Sequence, residues 1–325
     1  MRVLLTGSSG WLGRFLAPRL RGEGHEVIGF DIAPGADTHV LGSVADRALV
    51  DRTFAERGIE AVIHSGALHK PDIVRYPRQA FVDVNVTGTL NLLEAAAAAG
   101  NDRFVFTSTT SLMVSEALHS GRLGRAAWMA EDYGPLEPRN VYGITKLAAE
   151  RLCGLAQREH GLAVCILRTS RFFPEDDDTH RRPSGPNMKA NEFLNRRLTV
   201  EDAAEAHLAA LDRAPELGLA TFIVSAPPPF APEDCEELAS DAAAVVARYF
   251  PEAPGLYAQA GWALPERIDR VYVPAAAEAG LGFRARTDFA SILEAMKRGG
   301  RLPFVHDPSY VSPKERPVEG EWVTC

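Results

Sequence analysis

The opening residues constrain this chain more than any other feature. In "RVLLTGSSGWLGRFL", residues 2–16, a short apolar run passes through Gly7, Gly10 and Gly13 into an amphipathic stretch. Glycines in that setting permit a tight turn after a strand. They also let backbone N–H groups at the positive end of a helix approach a pyrophosphate. A strand buried on both faces needs parallel neighbours, and the sequence supplies them. "EVIGFD" (26–31), "AVIHSGA" (61–67), "RFVFTST" (103–109) and "AVCILR" (163–168) have the same texture as 2–7. Between them, 11–22, 46–57, 79–99 and 141–160 read as helices, the third closed by Gly100. This alternation predicts an α/β fold, a doubly wound parallel sheet of Rossmann type.

The second half is less regular. "LTVEDAAEAHLAAL" opens a helix at Thr199, with Asp202 placed for a capping box, and "TFIVSA" (221–226) reads as a further sheet strand. From "PPPF" at 227 the chain becomes Pro-punctuated. The expected division is a dinucleotide-binding domain of residues 1–170 and 199–226, and a smaller substrate lobe of 171–198 and 227–302. The Pro- and charge-rich segment 303–325 is expected to wrap the surface or be partly disordered.

Bulk properties exclude several classes. Net charge −8 and a pI near 5.7 imply no basic face for nucleic acid or an anionic membrane. No apolar run reaches the roughly 18 residues needed to span a bilayer. The four Cys, 153, 165, 235 and 325, form no metal-type cluster, and no metal is expected. Cys153 and Cys165 sit in apolar contexts and read as reduced core thiols. With a start that enters a strand at once, a cytoplasmic location is expected.

Asp31 ends the second strand, 21 residues after Gly10. A carboxylate there can accept both ribose hydroxyls and would repel a 2′-phosphate, so NAD is the expected cofactor. "NVYGITKLAAERL" (140–152) then places Tyr142 and Lys146 one helical turn apart on one face. A phenol near pKa 10 is a poor base. A neighbouring ammonium and the nicotinamide cation would favour phenolate, allowing Tyr142 to carry a substrate proton. "FTSTTS" supplies hydroxyls to hold the substrate oxygen, Thr109 first among them.

Together these segments resemble the extended short-chain dehydrogenase/reductase superfamily, and within it the NAD-dependent epimerase/dehydratase family. The resemblance covers about residues 1–226. Its carriers are T-G-x-x-G-x-x-G from Thr6 to Gly13, Asp31, "VIHSGA", "NVTGTLNLLEAA" (85–96), "FTSTTS" and "YGITK". The resemblance implies that Thr109, Tyr142 and Lys146 are catalytic, that Lys146 also holds the nicotinamide ribose, and that Asn85 supports the active-site helix. Candidate cofactor contacts are Gly7, Ser9, Gly10, Trp11, Leu12, Gly13, Asp31, Ser43, Val44, Ser65, Gly66, Ala67, Asn85 and Thr107, with Tyr142 and Lys146. Candidate substrate contacts are Thr109, Thr110, His69 and Arg171. His64 and His69 flank a strand end and read as structural or cofactor-near rather than as metal ligands. Family members often pair through the helices at 79–99 and 141–160, so a homodimer is expected.

Three departures bear on function. Ser43 stands where the family often has an adenine-contacting Asp. Thr110 and Ser111 replace the carboxylates that 4,6-dehydratases use to eliminate water. The segment between "ILR" and "VEDAAEAH" is about half the expected length for a nucleotide-sugar enzyme. The reading is therefore an oxidoreductase or epimerase acting at a secondary alcohol of a sugar derivative. The substrate is expected to be small and anionic, a uronate for example, with Arg171 as a clamp. Arg171 could instead pair with the acidic run Glu175–Asp178. A nucleotide-sugar epimerase and a non-catalytic NAD-binding regulator are the competing readings.

Overall fold

The computed structural model describes residues 1–176, 183 and 185–315. Seven parallel strands form the main sheet: β1 (Arg2–Thr6), β2 (Glu26–Asp31), β3 (Val40–Leu41), β4 (Ala61–His64), β5 (Arg103–Thr109), β7 (Ala163–Thr169) and β8 (Leu219–Val224). Their order is β3-β2-β1-β4-β5-β7-β8, the doubly wound Rossmann arrangement. A short strand, β6 (Ala127–Met129), lies outside it and pairs in parallel with β9 (Arg270–Tyr272).

Alternation along the strands builds two cores. Val3, Leu5, Ile63, Val105 and Leu167 face one layer, made by helices α1 (Gly13–Gly22) and α8 (Val200–Leu217). Leu4, Ile28, Val62, Phe104 and Phe106 face the other. That layer holds α2 (Arg47–Arg57), α4 (Gly88–Ala98) and α6 (Val141–His160). Helix ends follow local chemistry. Asn140 Oδ1 accepts from Gly143 N at 2.9 Å to start α6, and Gly161 at φ 69° ends it.

The stretch 79–99 is not one helix. A short α3 (Arg78–Val82) passes through a π turn, Asp83–Thr87, into α4. The extra residue of that turn places Asn85 inward, where it is buried. Thr199 caps α8 as expected, accepting from Asp202 N at 3.1 Å, but the box is not reciprocal. The Asp202 carboxylate instead accepts from Arg286 N and Thr287 N, at 2.9 and 3.2 Å, tying α8 to a distant loop.

Within 171–198, residues Gly185–Glu192 form helix α7; a four-residue helix α5 (Glu116–His119) precedes β6. A third core, containing Phe193, Val245, Tyr257, Phe289 and Ile292, lies under the later helices. It also takes Ala126, just before β6, so this core joins a residue from the middle of the chain to the later helices. Conversely, the helix Ala275–Leu281 packs back on the main sheet. A Cβ on Gly280 would stand 2.7 Å from the Phe222 ring, and Ala277 and Leu281 join the first core.

Candidate active site

Where the order reverses between β1 and β4, connections leave in opposite directions and a crevice opens at the strands' carboxyl ends. Gly7, at φ 72°, lets the two loops touch: a Cβ there would stand 2.9 Å from Gly66 N. Gly13 seats α1 on the turn, since its Cβ would fall 2.2 Å from Gly7 O. Gly10 differs. It lines the crevice, and a Cβ would meet only Gly7 O, at 3.2 Å. Glycine at that position leaves space on the crevice side, as a dinucleotide requires.

Of the candidate cofactor contacts, Gly7, Gly10, Trp11, Leu12, Asp31, Ser43, Val44, Ser65, Gly66, Ala67 and Thr107 line this crevice. Ser9 and Gly13 stand behind the wall. Ser9 Oγ donates to Ala33 O at 2.7 Å, and Ser9 N donates to Asp31 Oδ2 at 2.9 Å. The other Asp31 oxygen accepts from Ala33 N at 2.9 Å. Burial raises the Asp31 pKa, and these backbone bonds oppose the rise. A carboxylate has about four acceptor sites, so capacity for a ribose hydroxyl remains beside these backbone donors.

The catalytic candidates are buried beside the crevice. Tyr142 shares a side-chain hydrogen bond with Thr109 at the end of β5, and Thr109 Oγ1 accepts from Ser111 N at 3.1 Å. The expected lowering of the phenol by Lys146 is not found. Burial pushes Tyr142 up to about 12; the Thr109 bond pulls against this and Asp72 adds to it. Lys146 lies 4.0 Å over the Phe106 ring, and burial lowers its pKa to about 7. Without cofactor, desolvation outweighs the attraction between phenolate and ammonium. His69 lies edge-on to Tyr142, with ring centroids 5.9 Å apart, and burial holds it neutral, with a pKa of about 3.

Asn85 does not reach the crevice. Its Oδ1 accepts from Leu68 N at 2.9 Å, and its Nδ2 donates to Leu68 O at 3.0 Å and Thr145 Oγ1 at 3.1 Å. It thus ties Leu68 to the helix that carries Tyr142 and Lys146. Thr110 Oγ1 donates to Thr169 O at 3.3 Å, so that hydroxyl serves the sheet. Arg171 Nη1 pairs with Glu192 at 2.9 Å. The same buried carboxylate takes Arg196 at 3.4 Å and Arg197 at 2.7 Å. Of the acidic run near Arg171, Asp177 and Asp178 lie outside the described residues.

His64 reads from sequence as structural or cofactor-near; several other neighbours escaped the sequence reading. His64 Nε2 must donate to Thr89 Oγ1 (3.0 Å), because that hydroxyl donates to Asn85 O; Nδ1 then accepts from Thr6 Oγ1 at 2.7 Å. His207 Nδ1 donates to Ala203 O at 2.7 Å, leaving Nε2 to accept from Thr107 Oγ1 at 2.7 Å. His207 lies in the "VEDAAEAH" helix, the one available signal. Asp72 is buried in the crevice wall, and Tyr310 and Lys314 close its open side. No spacing pattern pointed to them.

The sequence pattern of the NAD dependent epimerase/dehydratase family matches residues 3–219. A 3-beta-hydroxysteroid dehydrogenase of Mycolicibacterium neoaurum is 30% identical over 201 residues, 58% of this chain and 52% of that protein. A uronate dehydrogenase of Pseudomonas putida is 28% identical over 180 residues, 54% of this chain and 62% of that one. The chain spans about half the length of the first curated relatives it matches. Among solved structures, a short-chain dehydrogenase/reductase superfamily protein from Agrobacterium tumefaciens with bound NAD superposes with a TM-score of 0.63. It is 26% identical, covering 92% of this chain and 98% of that one.

Proposed function

The chain belongs to the NAD-dependent epimerase/dehydratase family, and from that premise we propose that it is an NAD-dependent oxidoreductase acting at a secondary alcohol of a small, acidic sugar derivative. The observation that carries the chemistry is the hydrogen bond between Tyr142 and Thr109 at the end of β5. It puts a proton acceptor and an orienting hydroxyl within reach of one alcohol oxygen.

NAD, when bound, supplies the hydride acceptor. The glycine turn fits its pyrophosphate and Asp31 its adenosine ribose, and the open face of Gly10 leaves room for both. Thr109 holds the alcohol oxygen in register, and Tyr142 removes its proton as the carbon is oxidised. Lys146, one turn further along and with a pKa near 7, can hold or release a proton behind Tyr142. Burial of all three excludes water from the transfer.

The acidic substrate rests on the guanidiniums gathered at Glu192. Thr109 pairs in register with Thr169, so Arg171 follows two residues beyond the level of the orienting hydroxyl. Guanidiniums bind carboxylates in bidentate fashion. The likeness to a uronate dehydrogenase supports the same class. The test is a screen of neutral sugars, uronates and sugar nucleotides with NAD, followed by NADH absorbance. Net NADH formation with an acidic sugar is expected. Interconversion of UDP-hexoses without net NADH would replace this reading with an epimerase.

A further inference from the structure

Residues 303–315 do not simply wrap the surface. Phe304 is anchored in the third core, stacked 5.6 Å from Phe193, and Asp307 N donates to Pro174 O at 2.9 Å. From there the segment crosses the mouth of the dinucleotide crevice. The Tyr310 ring meets Trp11 of the glycine turn edge-on at 5.2 Å, and the Arg14 guanidinium lies 5.5 Å from Tyr310 and 5.2 Å from Trp11. Lys314 Nζ donates to the Asp72 carboxylate and, at 3.4 Å, to Ala67 O. Glu315 closes the far side on Arg75 at 2.9 Å.

The charges inside the crevice give this crossing a purpose. Among the described residues lining it, Asp31, Asp72, Glu175 and Glu315 carry carboxylates, and Lys314 is the one Lys or Arg. His69 is held neutral by burial. A dinucleotide brings two negative phosphates into this space. The backbone N–H groups of the glycine turn provide dipoles but no full charge. Asp72 sharpens the problem: its side chain is 2% exposed, and among the described residues its carboxylate otherwise accepts from His69 N, at 2.5 Å. A buried carboxylate beside the cofactor would repel it unless a cation accompanied it. That cation arrives from 242 residues away in the sequence.

We propose that residues 303–315 form a strap that is the fourth wall of the NAD site, with Lys314 supplying the side-chain positive charge for the pyrophosphate. The strap opens to admit the dinucleotide and closes over it, held by Tyr310 on one side of the crevice and Glu315 on the other. Its opening therefore governs cofactor release. This inference rests on the NAD crevice and is independent of which alcohol is oxidised.

The experiment is binding, without turnover. NADH affinity is read by fluorescence and its release by stopped flow. ADP-ribose and adenosine serve as probes with and without the pyrophosphate. Lys314→Met should raise the NADH Kd about tenfold, the scale of one charge-assisted contact, and speed release. Tyr310→Ala should speed release while leaving Asp72 and Lys314 in place. Because Lys314→Met strands the Asp72 charge, the pair Asp72→Asn with Lys314→Met keeps the wall neutral and protects against misfolding. That double variant should still bind NADH and ADP-ribose several-fold more weakly, with adenosine unchanged. Unchanged or tighter NADH binding in Lys314→Met would overturn the proposal and make the strap a passive or competing segment. Full recovery in the double variant would also overturn it, because Lys314 would then serve Asp72 alone.

Discussion

Asn85 Nδ2 donates to Thr145 Oγ1 at 3.1 Å, joining the π turn to the helix that carries Tyr142 and Lys146. Thr145 Oγ1 lies 3.0 Å from Tyr142 O. The other Asn85 bonds hold Leu68, next to His69. One amide therefore fixes the Tyr142 helix relative to the loop that lines the crevice. Asn85→Leu should leave buried backbone groups of Leu68 unpaired, costing about 1–3 kcal/mol. It should also lower kcat by about a factor of ten or more through misplacement. Chemical denaturation and steady-state kinetics check the two effects. A stable variant with normal kcat would show that the π turn has no positioning role.

Tyr142→Phe should abolish turnover and leave NADH affinity nearly unchanged, because the variant loses the proton acceptor and little contact area. The pH dependence follows from the phenol, which burial pushes up to about 12. Below that value the phenol form dominates, so the fraction able to accept a proton grows as pH rises. Alcohol oxidation should accelerate from pH 6 through pH 9, on the order of three decades if no other group limits, and NAD should shift the rise downward by favouring phenolate. A rate that falls over this range would exclude Tyr142 as the acceptor.

Lys146 carries the opposite signature in stability. Its folded pKa is lowered from 10.5 to about 7, first by burial. Between those values the unfolded chain binds more protons than the folded one, so stability without cofactor should rise with pH from about 7 to about 10. Lys146→Met should flatten that rise and stabilise the protein most below pH 7. Urea denaturation at a series of pH values tests it, and an unchanged slope in the variant would place the dependence elsewhere.

The parts of this site that were legible share one property: their partners are local. Gly7, Gly10 and Gly13 lie in one turn, Tyr142 and Lys146 in one helical turn, and Asp31 at a strand end whose distance from the glycines the βαβ unit sets. Short continuous apolar runs placed the main-sheet strands other than the two-residue β3, because burial on two faces leaves no polar alternation. The illegible parts depend on distance. Asp72 has no pattern around it, and the half-buried Lys314 finds its partner 242 residues away. A Pro- and charge-rich segment looks solvated until its partners are known. The π turn was hidden because Asp83–Thr87 has helical composition, and the inserted residue shows only in the hydrogen bonds. Asp202 looked like half of a capping box because the loop that engages it lies some eighty residues ahead.

Asp31→Ala should reduce the preference for NAD over NADP, and the structure adds a second consequence. The carboxylate anchors Ser9 N as well as awaiting the ribose, so its loss also loosens the glycine turn. The NAD Kd should rise about tenfold or more, while NADP binding, freed from charge repulsion, should fall less or improve. Comparing kcat/KM for the two cofactors measures the balance. A wild-type protein that already prefers NADP would remove Asp31 from the role.

Arg171→Ala separates the substrate classes. Glu192 keeps Arg197 at 2.7 Å and Arg196 at 3.4 Å without it, so the fold should survive. A buried carboxylate that retains two guanidiniums is not left stranded. If Arg171 reaches the substrate, KM for an acidic sugar should rise on the order of tenfold or more, while KM for a neutral analogue changes little. Arg171→Lys should recover only part of the loss, because an ammonium keeps the charge but not the planar fork. Equal effects on acidic and neutral substrates would assign Arg171 to holding α7 through Glu192, and would move the acid-binding role to other residues of the second lobe.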